Sequence, residues 1–135
     1  MCFAATRGFK TFSPAKLHLG PGFIVKDGSR FVLLMKDNSR PNLNLRVAFG
    51  DNPLGPWRGI SEPFTGKFTE GPAALKVGQD WLIYFDMYRA NRYGAVRTRN
   101  VMTCTGLTAE VSFPHGHKHG TVCTIERREL DRLLK

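Results

Sequence analysis

The chain has 135 residues, 41% of them apolar, and a formal charge of +9 from 20 Lys and Arg against 11 Asp and Glu. That length suits one domain with a real core, and the absence of a long uncharged apolar run excludes a membrane-spanning helix. The basic residues are dispersed and never more than two in succession, unlike the stripe or basic helix of a nucleic-acid binder.

Read along the chain, Phe3-Ala4-Ala5 is a short strand, and Gly8 to Pro14 is a turn leading into Ala15 to Leu19, followed by a break at Gly20-Pro21-Gly22. Phe23 to Val25 and Arg30 to Lys36 form a hairpin around Asp27-Gly28, a strong turn signal. Leu43 to Phe49 alternates apolar and polar residues, which predicts a half-buried strand. Asp51 to Trp57 is a turn-rich connection. Ala73 to Val77 and Trp81 to Asp86 pair across Gly78-Gln79, and Tyr93 to Thr98 is the next strand. Thr121 to Ile125 reads as a last strand and Glu126 to Lys135 as a short helix, with Ile125, Leu130, Leu133 and Leu134 on a partial apolar face.

These elements repeat. Gly28 and Gly78, Phe31 and Trp81, and Leu34 and Tyr84 each stand 50 positions apart. A period near 50 built from short strands is the pattern of propeller blades. The expected fold is all-β: a partial propeller of about two and a half blades with a short C-terminal helix, repeats at about 20–60 and 70–112 within one domain at 1–135. A closed propeller needs at least about four blades, so the chain reads as part of a ring.

Two stretches carry chemistry. Glu70 heads Glu70-Gly71-Pro72, directly before an inner strand, and inner strand ends of blades face the channel where ligands bind. It reads there either as a general acid or as a solvated loop glutamate. His115, His117 and His119 share one face if that segment is extended. The interleaved glycines argue against an extended strand, so no intrinsic metal set is expected.

Phe12-Ser13-Pro14-Ala15, Lys36-Asp37-Asn38, Gly55-Pro56-Trp57, Glu70-Gly71-Pro72, the strand Trp81 to Asp86 and His119-Gly120-Thr121 together resemble glycoside hydrolase family 43, the arabinosidase- and xylosidase-like five-bladed propellers. The likeness runs from about Phe3 to about Ile125 and corresponds to the C-terminal half of the family's propeller. It implies an inverting mechanism, in which an acid and a base stand roughly 6.5–9.5 Å apart with water between. Glu70 matches the acid. The first-blade base has no counterpart, and the stretch that should carry a second Asp is replaced by Gly20 to Gly28. Asp27 fits a hairpin turn better than that role. By the same resemblance Asp86, Tyr88, Arg89 and Lys36 line a sugar pocket, and His119 helps to hold a Ca ion or a water.

The expectation is therefore a family 43-like fragment, catalytically incomplete, that binds a pentose-containing glycan or oligosaccharide and has weak or absent glycosidase activity as an isolated chain. One alternative is an active arabinofuranosidase- or xylosidase-type enzyme completed by homo-oligomerisation. Another is a non-enzymatic interaction module with a basic surface. A homodimer or larger assembly is expected, because a part-propeller leaves sheet flanks uncovered and Phe31, Leu33, Trp81 and Ile83 lie on them. No cofactor beyond the ion or water near His119, no nucleic acid and no membrane partner are expected. Met1 to Arg7 lacks the layout of a signal peptide. Cys2, Cys104 and Cys123 have no metal-type spacing and cannot all pair. Both point to free thiols in a reducing cytoplasm.

Overall fold

A computed structural model describes residues 2–3, 8, 10–14, 16–17, 22–114 and 116–135. Ala4 and Ala5 of the predicted first strand, Ala15, His18 and Leu19 of the segment after the turn, the break at Gly20-Pro21 and His115 lie outside the described residues. Two short strands, β1 (Cys2–Phe3) and β2 (Lys16–Leu17), pair antiparallel. A three-stranded sheet follows: β3 (Gly22–Asp27), β4 (Arg30–Asp37) and β5 (Asn44–Gly50), in that order. A four-stranded sheet contains β6 (Thr69–Val77), β7 (Asp80–Met87), β8 (Arg92–Thr98) and β9 (Thr105–Gly106). All neighbours are antiparallel, neither sheet closes into a barrel, and the one described helix is α1 (Arg127–Leu133). The all-β expectation holds. No described helix is long and apolar enough to cross a membrane.

Both hairpins turn at a glycine. Asp27 pairs with Arg30 and Val77 with Asp80, so each loop has two residues that begin with Gly28 or Gly78. Their φ values of +63° and +60° suit a residue without a Cβ. Asp27 thus ends a strand instead of forming the turn itself.

The two sheets meet through one core, and the alternation of side chains along a strand shows which faces touch. Val32 and Leu34 of β4, with Leu45 and Val47 of β5, pack on Ala74, Trp81, Ile83, Phe85 and Val96 of the second sheet. In β4 the even-numbered positions face this core, and in β7 the odd-numbered ones do. With a repeat of 50, equivalent residues therefore lie on opposite sides of the contact. The front of the first copy packs on the back of the second, as in successive members of a stack.

This packing corrects three expectations. Trp81 and Ile83 are buried between the sheets, Leu33 is fully buried and Phe31 is half-buried, so none of them forms an open apolar flank. The β5 region is covered on both faces, because Ala48 and Asn44 are buried as well as Leu45 and Val47; its alternation does not mean one wet face. Thr121 to Ile125 forms no strand, since no sheet edge pairs with it. Instead Thr105–Gly106 takes the fourth place in the second sheet, against Arg97 and Val96. The first sheet has a matching but shorter edge, where Phe49 bridges Arg58. Helix α1 buries none of its residues, and Ile125, Leu133 and Leu134 are exposed.

Candidate functional site

Glu70 lies inside β6, not ahead of it, directly opposite Asp86 of β7. Two carboxylates at facing positions repel each other. The register slips between Glu70 and Ala73, and Gly71 takes φ +56° there. A Cβ on Gly71 would stand 2.7 Å from His119 Nδ1, so glycine lets the histidine loop settle onto the bulge.

Positive charge comes from two other elements. Lys36, near the end of β4, donates a short hydrogen bond from its Nζ to Glu70 Oε2. His119 Nε2 lies 3.0 Å from Glu70 Oε1 and 3.7 Å from Asp86 Oδ2. The His119 loop is tethered by Gly120, whose backbone N–H donates to the Tyr93 hydroxyl. His117 is drawn into a ring cluster instead, 5.0 Å from Tyr93 and stacked on Phe113. Gly116 and His119 have positive φ, so the segment is not extended and these two histidines do not share a face.

The hydrogen bond from Lys36 is the main cause that holds the Glu70 carboxyl below its ordinary range; partial burial opposes it, and His119 adds to the lowering. At neutral pH Glu70 is thus an ionised acceptor. A general acid needs the opposite tuning, toward the working pH. Asp86 is 1% exposed, and neither of its oxygens has a hydrogen-bond partner among the described residues. Such a group is rare, because a buried carboxylate without partners is costly.

A cavity of about 310 Å³ opens here, lined by Gly22, Lys36, Asn38, Glu70, Gly71, Pro72 and His119. Lys36 also sits 4.7 Å from the centre of the Tyr88 ring. Arg89 turns away: its guanidinium stacks 3.8 Å from the Phe68 ring centre, and Phe68 meets Tyr88 edge-on at 6.0 Å. The structure therefore gathers Lys36, Glu70, Asp86 and His119, with Tyr88 beside Lys36, and leaves Arg89 behind the aromatic pair. Asn38 and Pro72 also line the cavity; Pro72 belongs to the Glu70-Gly71-Pro72 motif, and Asn38, given no role in the sequence, stands within the Lys36-Asp37-Asn38 stretch. Asp27 is structural. Burial raises its pKa, but bonds from Arg30 and Trp81 and the charges of Lys76 and Arg30 outweigh that and lower it.

Compared with protein-family models, curated proteins and solved structures, the chain matches none of them.

Proposed function

We propose that the two sheets are successive blades of a family 43-like propeller fragment, and that the cavity at their strand ends binds carbohydrate without hydrolysing it. The observation that carries this reading is the Lys36–Glu70–His119 chain of polar groups at the cavity wall. An ammonium, an ionised carboxylate, an imidazole and the Asn38 amide offer the donors and acceptors that sugar hydroxyls need. The front-to-back packing of the repeats supports the blade reading. The lowered pKa of Glu70 supports binding over proton donation.

The test is titration of the full chain with arabino- and xylo-oligosaccharides, beside an aryl arabinofuranoside and xyloside assay. Saturable binding, weakened in Glu70→Gln and Lys36→Met, with no turnover above buffer is the expected result. Turnover that disappears in Glu70→Gln would make the chain an enzyme with a base supplied from elsewhere. No binding of any pentose oligosaccharide would remove the carbohydrate reading.

A further inference from the structure

We propose that Glu70, Asp86 and His119 form a binding site for a first-row divalent transition cation of the Zn²⁺ class. This inference shares Glu70 and His119 with the carbohydrate reading but does not depend on sugar binding. The ligand atoms of the three residues lie within 4.8 Å of one another. Metal–ligand bonds of about 2.0–2.2 Å place neighbouring ligand atoms roughly 3.0–3.5 Å apart. The 3.0 Å between His119 Nε2 and Glu70 Oε1 already has that spacing, and the 3.7 Å to Asp86 Oδ2 needs only a small inward movement.

The independent observation is Asp86. Both of its oxygens are buried and lack hydrogen-bond partners among the described residues, while one of them approaches the His119 ring nitrogen. A buried carboxylate left in this way awaits a cation. His119 is 58% exposed at its side chain, so an ion has a path from solvent.

The donor set selects the class of ion. An imidazole nitrogen suits Zn, Cu, Fe or Ni, whereas Ca²⁺ takes an all-oxygen shell of about six to eight ligands. Facing an ionised carboxylate, Nε2 carries the proton when no metal is present. Binding the ion frees that lone pair, and the proton is released to solvent or carried on Nδ1. Lys36 is bound to Glu70 Oε2, which leaves Oε1 for the metal. Its positive charge opposes the ion, so removing it tightens binding.

The experiment is titration of the full chain with Zn²⁺ against a chromogenic chelator, with Ca²⁺ as competitor and circular dichroism as a check on the fold. One Zn²⁺ per chain is expected. His119→Ala and Asp86→Asn each weaken it by a factor on the order of 100, Lys36→Met tightens it, and His117→Ala and Cys123→Ser leave it unchanged. Ca²⁺ does not displace the ion. The proposal fails if Zn²⁺ does not bind, if binding follows His117 or Cys123, if folded Asp86→Asn binds as well as the parent, if Lys36→Met changes nothing, or if Ca²⁺ competes at equal concentration.

Discussion

The two sheets are built from one repeat yet end differently. At the position where β4 carries Lys36, β7 carries Asp86, 50 residues on. The lysine reaches across to Glu70, whereas the aspartate is buried opposite that same glutamate. The hairpins β3–β4 and β6–β7 turn at equivalent residues, but the next pairing does not repeat: Lys36 pairs with Leu45, whereas Asp86 pairs with Tyr93. Backbone pairing and the core fix where a strand end lies, and the residue placed there is left open to chemistry.

The strongest way to break this comparison is through the shared core. Trp81 is buried between the sheets while Leu82, its neighbour on the opposite face, is half-buried. Trp81→Ala is expected to cost about 3–5 kcal/mol, and Leu82→Ala less than half as much, by urea unfolding. Equal losses would mean that the front-to-back packing is not what holds the sheets together.

Next come the exchanged charges. Lys36→Met should lose about 2 kcal/mol, because it removes a charged hydrogen bond and leaves Glu70 beside Asp86 without the ammonium. Asp86→Asn should lose nothing, since neither buried Asp86 oxygen makes a hydrogen bond among the described residues that the substitution would forfeit. A large loss in Asp86→Asn would show that Asp86 is paired in solution.

Acid sharpens the same contrast. The pKa of Glu70 is lowered on folding, so its contribution to stability is complete above its ordinary value of 4.5 and fades as pH falls through the lowered one. Unfolding curves from pH 7 down to pH 3 should therefore show an acid loss that Lys36→Met reduces. An unchanged acid limb in that variant would separate Lys36 from Glu70.

The smallest effect tests the equivalence of the copies. Gly28 and Gly78 share a positive φ, and a Cβ at either would meet nothing within 4 Å. Gly28→Ala and Gly78→Ala should each cost about 1 kcal/mol, from backbone conformation alone. Unequal costs in thermal unfolding would show that the hairpins are not interchangeable.

Local signals were legible where short-range chemistry decides. The Gly28 and Gly78 turns and the strands beside them follow from the residues themselves. Long-range events were not legible. The alternation from Leu43 to Phe49 cannot report that a second layer covers the other face of β5. Thr121 to Ile125 has the residues of a strand, but a strand exists only where an edge receives it. Nothing near Lys36 in the chain reveals that its partner is Glu70, 34 positions away.

Asp27 carries a consequence of another kind. From the tip of the first hairpin it accepts a hydrogen bond from the Trp81 indole N–H at 3.4 Å and pairs with Lys76 at 3.5 Å, both in the second sheet. It works as a clasp thrown from one copy to the next. The equivalent position in the second copy is Val77, which is 51% exposed and has no charge to offer. The clasp therefore has a direction, and the second copy does not pass it on. A designer extending this architecture by another repeat would begin by writing Val77→Asp, and would place a tryptophan and a lysine in the added copy to receive it.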